Sequence, residues 1–171
     1  MINNEISLDN SRILVLGSKG LLGNAIYKQL KKENVFVKGI GHTVDLTKYD
    51  EVSPLFTCFE PGYVINCAGL SSGLNYSLSH PADIFHTNTT IPLNVLRAAQ
   101  EFHTLKVVNI LASCAYQMYD RVLVEGAILD GKPFKDTDCH GFAKRNILLA
   151  SQYYSRQYQL PAICVCPPTL Y

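Results

Sequence analysis

Three glycines at the spacing of a phosphate-binding turn follow the first apolar run of the sequence. The turn consists of Gly17, Ser18, Lys19, Gly20, Leu21, Leu22 and Gly23. The first glycine would permit a tight turn, the second would let backbone approach a pyrophosphate, and the third would let helix and strand pack closely. Phosphates would meet the free N–H groups at the positive end of the following helix. The turn therefore predicts a dinucleotide site, a glycine-rich turn without ligand being the alternative.

The second predicted strand bears on which dinucleotide would bind. In NAD-binding proteins this strand is followed by an acidic residue that binds the ribose 2′-hydroxyl. Residues 35–41 contain neither Asp nor Glu. Lys38, together with Lys19, could instead meet a 2′-phosphate, which slightly favours NADP over NAD. Both lysines could equally be ordinary solvated side chains.

The elements that must position this turn follow from hydrophobic periodicity. Short apolar runs alternate with longer amphipathic ones, which indicates βαβ units. The predicted strands, apolar on both faces as strands covered by helices on each side must be, are Arg12–Gly17, Val35–Ile40, Tyr63–Cys67, Lys106–Leu111 and Ala162–Cys166. The expected fold class is α/β, a doubly wound, Rossmann-like parallel sheet with helices on both faces.

Helices are predicted between these strands. Apolar residues at three-to-four spacing predict a first helix through Leu21, Leu22, Ala25, Ile26 and Leu30. A short second helix would be capped by Asp45 or Thr47. Two longer helices are expected at 87–102 and 140–158. Residues 117–138 contain Gly, Pro and Asp without clear periodicity, which predicts a long loop, and such loops tend to be functional.

Composition limits the classes of function. The 171 residues are 47% hydrophobic and 17% charged, below the roughly 25% usual for soluble domains, so much of the chain should be buried. A net charge of +1 gives no global attraction to nucleic acid or to membranes. No apolar run approaches the roughly 18 residues of a membrane span. Residues 1–10 lack a positively charged start and are expected to be a flexible leader, not a secretory signal.

The six cysteines have neither CxxC pairs nor zinc spacing with histidine; they lie at 58, 67, 114, 139, 164 and 166. Cys164 and Cys166 alternate along an apolar run, which predicts that they share one face of a strand as small hydrophobes. No metal or disulfide is expected, and the protein is expected in the reducing cytoplasm.

Several further segments occur in a specific order. They are Asp45-Leu46, Asn66-Cys67-Ala68-Gly69, Pro81-Ala82-Asp83, Asn88, Ser113-Cys114-Ala115-Tyr116, Ala143-Lys144 and Pro168-Thr169-Leu170-Tyr171. With the glycine turn, this set resembles the extended short-chain dehydrogenase/reductases, the NAD-dependent epimerase/dehydratase family, and within it the GDP-L-fucose synthase branch. The resemblance implies that residues 11–171 form an NAD(P)-binding domain that stops before the substrate-binding part.

The resemblance also implies roles for single residues. Those it places around the cofactor are Asp45 and Leu46 beside the adenine, Ala68 and Gly69 along the dinucleotide, Asn88 supporting the active-site helix, and Lys144 at the nicotinamide ribose. Cys114 matches a cysteine that serves as an acid in epimerisation, a buried small hydrophobe being the alternative. The substrate would be a nucleotide sugar, here a GDP-sugar. By analogy, the helices at 87–102 and 140–158 would pair in a homodimer.

Two positions depart from the family's catalytic pattern. Where the family has a tyrosine four residues before its lysine, this chain has His140, one helical turn before Lys144 and on the same face. Where the family has its catalytic serine, this chain has Ala112, and the adjacent Ser113 would point differently. Imidazole is a competent acid or base, and Lys144 would lower its pKa and favour the neutral ring, which still donates one N–H.

Two hypotheses about function follow. The first is the NAD(P)-binding domain of a nucleotide-sugar epimerase/reductase, an oxidoreductase with an altered proton relay, whose catalytic candidates are Lys144, His140, Cys114 and Ser113. The second is a catalytically inactive nucleotide-binding relative that serves as a partner or regulatory subunit. The second hypothesis is favoured by the loss of two hydroxyls, which should remove several kcal/mol of transition-state stabilisation.

Overall fold

Five parallel strands form one sheet in the computed structural model, which describes residues 8–117 and 123–168. The strands are β1 (Arg12–Leu16), β2 (Phe36–Ile40), β3 (Tyr63–Asn66), β4 (Lys106–Ile110) and β5 (Ala162–Val165). Their order across the sheet is β2-β1-β3-β4-β5. Each predicted strand is present and one residue shorter, at its start in β2 and at its end in the other four, because the residue left out does not pair with a neighbouring strand.

The helices lie in the connections between the strands. They are α1 (Leu21–Leu30), α2 (Tyr49–Phe59), α3 (Leu74–Ser79), α4 (Pro81–Glu101) and α5 (Asp138–Tyr158). The short α3 was not predicted, because six residues are too few for helical periodicity. α4 begins six residues before the predicted start at 87, at a proline, which favours the first helical position. Within the described residues no helix is long and apolar enough to cross a membrane.

The predicted cap of α2 is wrong. The residue before the helix is Lys48, and it makes no side-chain capping bond. The carboxylate of Asp45 instead accepts hydrogen bonds from the N–H of Thr47 at 3.1 Å and from its hydroxyl at 2.6 Å. The side chain of Glu51 accepts a bond from the N–H of Asp45 at 2.8 Å. These side chains therefore stabilise the turn that precedes the helix.

The main hydrophobic core lies between the sheet and the helices α2, α4 and α5. Its fully buried members include Leu14 and Leu16 of β1, Val64 of β3, Val107 of β4, Phe56 of α2, and Val95 and Leu96 of α4. The helix expected at 87–102 buries Ile91, Val95, Leu96 and Ala99 against this core, as parts of α4. α2, α4 and α5 belong to connections that all move across the sheet toward β5. Right-handed crossovers place the helices of such connections on the same face of the sheet.

The opposite face of the sheet is only partly covered. Val15, Ile65, Val108 and Ile163 pair in register and so share that face. α1 packs on β1 and β2, and Val15 is buried. Ile163 is 47% exposed and Leu21 of α1 is 65% exposed. The predicted fold class, a parallel sheet with helices on both faces, is confirmed, because α1 lies on this face and α2, α4 and α5 lie on the other. On this face Ile163 of β5 stays exposed, and so do the apolar residues Leu21 and Ala25 of α1.

Parts of the predicted leader and of the predicted loop are described. Residues 8–10 form a turn in which the N–H of Asn10 donates to the carbonyl of Asn34 at 2.8 Å. The predicted loop over 117–138 contains two short 3-10 turns, Glu125–Ala127 and Lys135–Thr137. Residues 1–7 of the leader, 118–122 of the loop and the motif residues 169–171 lie outside the described residues.

Candidate active site

A cleft of about 580 Å³ opens at the carboxyl edge of the sheet. It lies between β1 and β3, where the order of strands reverses, which is the usual ligand position in open α/β sheets. The predicted residues that line this cleft are Gly17, Lys19, Gly20, Asp45, Leu46, Ala68 and Gly69. Residues far apart in sequence are thus brought to one site, because parallel strands deliver their following turns to the same edge.

The glycine turn is built by close backbone contacts. Gly17 has φ +74°, a conformation that side chains other than glycine rarely adopt. A Cβ on Gly23 would lie 2.2 Å from the carbonyl oxygen of Gly17, so the third glycine packs on the turn itself. A Cβ on Gly20 would meet that oxygen at 3.3 Å and no other atom within 4 Å. Gly20 thus keeps space open beside the start of α1.

The start of α1 fits a bound pyrophosphate. Gly20 is the residue before the helix and makes no side-chain capping bond, and the first turn contains no acidic residue. No side chain therefore competes with a phosphate for the first N–H groups of the helix. Leu21 and Leu22 do not line the cleft. Their contribution would come from backbone N–H groups.

The structure does not bring Lys38 to the cleft. Its ammonium lies 5.7 Å from the ring centroid of Phe59, at the end of α2. Lys38 pairs with Leu14 in register, so its side chain shares the face that α2 covers. Lys19 and His42 do line the cleft. His42 was missed, although its place two residues after β2, close to where an acidic residue usually stands, is a signal that the sequence offers.

Asn94 holds the adjoining wall of the cleft. Its Nδ2 donates to the carbonyl oxygens of Leu46 at 3.0 Å and Thr47 at 2.9 Å. Hydrogen bonds from Thr47 lower the pKa of the Asp45 carboxyl, which keeps this wall negatively charged at neutral pH. The lining residues that the sequence did not assign to the site are Gly41, Thr43, Val44, Thr47, Glu51, Cys67, Leu70, Thr87 and Ile91. A polar residue on the apolar side of a helix, such as Asn94, was an available signal.

Asn88 connects the cleft to α5. Its Oδ1 accepts the N–H of Leu70 at 2.8 Å, and its Nδ2 donates to the carbonyl of Leu70 at 2.9 Å. The same Nδ2 lies 3.2 Å from Nδ1 of His140. Because Leu70 lines the cleft, the predicted residue Asn88 lies one contact from the cleft, and His140 lies one contact further away.

Lys144 is held at the end of β4. Its Nζ donates to the carbonyl oxygen of Ile110 at 2.7 Å. Burial lowers the pKa of Lys144. Burial, and then the charge of Lys144, lowers the pKa of His140, which confirms the predicted direction while making burial the larger cause. Both groups are thereby biased toward their neutral forms.

Four cysteine thiols contribute to the electrostatic environment of Lys144. They are Cys67, Cys114, Cys164 and Cys166. Burial raises the pKa of each, that of Cys67 to about 11, while Lys144 opposes the shift. These thiols therefore stay protonated at neutral pH. Within residues 8–117 and 123–168, no group of three or more His, Cys, Asp or Glu side chains is arranged to hold a metal ion.

Ser113 faces a different cavity from the one at the glycine turn. It lines a space of about 900 Å³ together with Tyr116, Glu125 and Cys166. The two cavities share no lining residue. α5 approaches this region closely at Gly141, where a Cβ would lie 2.5 Å from the carbonyl oxygen of Cys114. Ser113 is therefore separated from the glycine turn, whereas Cys114 lies close enough to Lys144 for the lysine charge to act on its thiol.

Arg145 is a buried residue that sequence reasoning missed. It is 7% exposed, and its guanidinium donates to the carbonyl oxygens of Ala115 at 2.7 Å, Gly131 at 2.7 Å and Asp130 at 2.8 Å. These bonds attach the loop before α5 to the helix that carries His140 and Lys144. Arg145 stands between Lys144 and Asn146 in the sequence, so no local pattern marked it as buried.

Comparisons with known proteins agree with this geometry. The model of the NAD dependent epimerase/dehydratase family matches residues 13–171. GDP-L-fucose synthase 1 of Arabidopsis thaliana is 29% identical over 166 residues, which are 95% of this chain and 51% of that protein. GDP-L-fucose synthase of Sinorhizobium fredii is 29% identical over 166 residues, covering 96% and 53%. The chain thus spans about half the length of the curated relatives it matches.

Solved structures show the same fold. A GDP-mannoheptose C4 reductase from Campylobacter jejuni with NADP bound has a TM-score of 0.86 and 26% identity, over 95% of this chain and 52% of that chain. A GDP-D-glycero-L-gluco-heptose synthase from the same organism, in the presence of NADPH, has a TM-score of 0.86 and 26% identity, over 95% and 48%. The sheet, the glycine turn and the extent of the family match lead to one conclusion: the chain belongs to the NAD dependent epimerase/dehydratase family.

Proposed function

We propose that this chain is the NAD(P)-binding domain of a nucleotide-sugar epimerase/reductase whose proton relay is altered. The observation that carries the proposal is the cleft between β1 and β3. The glycine turn forms one wall, residues 45–46 and 68–69 form others, and Asn88 joins the cleft to His140. This convergence of a phosphate-binding turn with ionisable groups is typical of a cofactor site.

The residues around the cleft fit a dinucleotide. The glycine turn and the first N–H groups of α1 bind the pyrophosphate. Asp45 and Leu46 border the adenine, and Ala68 and Gly69 line the rest of the cofactor. When bound, a nicotinamide dinucleotide supplies hydride transfer at a sugar carbon.

NADP is the proposed cofactor in preference to NAD. Lys19 of the glycine turn and His42 after β2 are the basic residues that line the cleft. Both residues could contact a 2′-phosphate. Residues 35–41 contain no acidic residue that would bind the 2′-hydroxyl of NAD. The reductase relative with NADP bound supports the same choice.

His140 replaces a hydroxyl group as the acid toward the substrate carbonyl, and Lys144 binds the nicotinamide ribose. The thiol of Cys114, kept protonated because burial raises its pKa, is available as an acid in epimerisation. The substrate class is a GDP-sugar, which the names of the relatives support.

Turnover by the natural gene product tests this proposal. It should oxidise NADPH in the presence of a GDP-4-keto-6-deoxy sugar, and His140→Ala should lower kcat by about 100-fold or more while NADPH still binds. NADPH binding without turnover would favour the second candidate, the inactive relative.

The inactive relative is supported by a specific observation. Ala112 has no hydroxyl, and Ser113 lines the other cavity. If this candidate is correct, the double variant Ala112→Ser, His140→Tyr should raise turnover above that of the unmodified protein. If His140 is the acid, the same variant should give no more activity than the unmodified protein.

The quaternary arrangement is also a proposal. Phe85 and Leu93 of α4, with Phe142 and Tyr153 of α5, are between 39% and 51% exposed. Each pair lies on one stripe of its helix, and α4 and α5 pack side by side. This surface supports a homodimer through the two helices. Leu93→Glu should then shift the sedimentation coefficient from dimer to monomer.

The remaining expectations belong to this proposal as well. Polypeptide equivalent to the rest of the relatives' length would cover the exposed apolar side chains of β5 and complete a substrate site. We also propose a cytoplasmic location, which rests on the cysteine spacing alone.

A further inference from the structure

We propose that Asn88 is a positioning residue that fixes His140 as the neutral tautomer with its proton on Nε2. The catalytic use of that N–H depends on the proposed function, whereas the tautomer itself does not. The inference is based on three hydrogen-bond contacts of one buried amide.

The backbone of Leu70 fixes the orientation of the Asn88 amide. Oδ1 lies 2.8 Å from the N–H nitrogen of Leu70, and Nδ2 lies 2.9 Å from its carbonyl oxygen. Exchanging the amide oxygen and nitrogen would place oxygen against oxygen and nitrogen against nitrogen. The atom that faces His140 is therefore a nitrogen, which can only donate.

The packing around Asn88 leaves the amide no room to turn. Asn88 is 3% exposed. A Cβ on Gly69 would lie 2.7 Å from Oδ1, so the neighbouring backbone closes one side of the amide. Both N–H groups of Nδ2 are used, one by the carbonyl of Leu70 and one by His140.

The amide donor decides where the proton of His140 lies. Nδ1 of His140 is 3.2 Å from Nδ2 of Asn88. A proton on Nδ1 would place two donors against each other, so Nδ1 must present its lone pair. A neutral imidazole carries one proton, which is then on Nε2. The imidazolium form is disfavoured by the same contact, because it too has a proton on Nδ1.

The consequence for the site is a defined donor. The charged group that acts on the ring is Lys144 of its own helix, whereas Asn88 of α4 and the backbone of Leu70 are neutral. With Nδ1 occupied, Nε2–H is the one ring donor left. A histidine that replaces a hydroxyl can therefore offer one N–H to a substrate carbonyl only if Asn88 keeps the tautomer in place.

Nitrogen NMR of the imidazole ring tests the tautomer directly. The chain is labelled with ¹⁵N-histidine, and His140→Gln identifies the signals of His140 among the five histidines. At pH 7.5, two-bond ¹H–¹⁵N correlations should show a protonated Nε2 and an unprotonated Nδ1. A protonated Nδ1, or an averaged mixture of tautomers, would overturn the proposal.

Asn88→Asp tests the cause. The variant carboxylate accepts instead of donating, so Nδ1 should become protonated and the pKa of His140 should rise. Backbone ¹H–¹⁵N spectra verify that the variant is folded, and the spectrum of the unmodified chain is decisive by itself if it is not. An unchanged tautomer in a folded variant would show that Asn88 does not control the ring.

Kinetics separates this proposal from the proposed function. In an active gene product, Asn88→Asp should lower kcat by about 100-fold above the raised pKa of His140, where Nε2 has no proton, with KM for NADPH unchanged. The Nε2–H tautomer without any turnover would contradict the enzyme and leave the positioning role intact. Turnover by a protein whose His140 carries its proton on Nδ1 would support the enzyme and contradict the positioning role.

Discussion

Burial controls protonation at the residue scale. It lowers the pKa of Lys144 and His140 and raises that of Cys67, Cys114, Cys164 and Cys166. All these groups are therefore biased toward uncharged forms, as expected where water is scarce.

The lowered pKa of His140 has a consequence for stability. A group whose folded pKa is below its unfolded value stabilises the fold above the unfolded value, near 6.5, and this contribution is lost as pH falls toward the folded pKa. The free energy of unfolding should decrease between pH 7.5 and pH 5.5. Urea titrations of His140→Gln should show a smaller decrease over the same range. An equal decrease in both proteins would show that His140 does not contribute.

The two lysines predicted to meet a 2′-phosphate should behave differently. Lys19 lines the cleft, whereas Lys38 lies against Phe59. Calorimetry with NADPH and NADH should show that Lys19→Ala weakens NADPH binding by about tenfold, the effect of one lost charge contact of about 1.4 kcal/mol. Lys38→Ala is the matched control and should change neither affinity. A loss of NADPH preference in the Lys38 variant would contradict this placement.

At the scale of elements, the strands and the glycine turn could be predicted because apolar runs and glycine spacing are local signals. The direction of Lys38 could not, since it depends on which face α2 covers. The turn at Asp45 was mistaken for a cap because the same side-chain hydrogen bonds serve both structures. The contact between Asn88 and His140 joins residues 52 apart in sequence, so no local pattern indicates it.

Arg145 should contribute to the stability of α5 and the preceding loop. Its planar guanidinium bonds several carbonyl groups at once, which a lysine cannot do. Arg145→Lys should lower the free energy of unfolding by about 2–3 kcal/mol. The control is Arg97→Lys at an exposed ion pair, where the loss of unfolding free energy should be much smaller. Urea denaturation compares the two; equal effects would show that the loop is held by other contacts.

At the scale of the whole molecule, apolar side chains of β5 form an exposed surface that no described residue covers. Ile163 is 47% exposed and Val165 is 44% exposed. The double variant Ile163→Lys, Val165→Lys should reduce the fluorescence of the apolar dye ANS while the circular dichroism spectrum is unchanged. An undiminished dye signal would show that this surface is covered in solution.

Calorimetric titration with NADPH is the most direct test of the central claim, that the cleft at the glycine turn binds a dinucleotide. The unmodified chain should bind one NADPH, and Gly20→Val should lower the affinity by about 100-fold. A Cβ at Gly20 meets no atom within 4 Å except the Gly17 oxygen at 3.3 Å, so the far-ultraviolet spectrum should be retained. Ala25→Val, at an exposed position of the same helix, is the control and should bind normally. Absence of binding by the unmodified chain, or equal affinity in the Gly20 variant, would contradict the account.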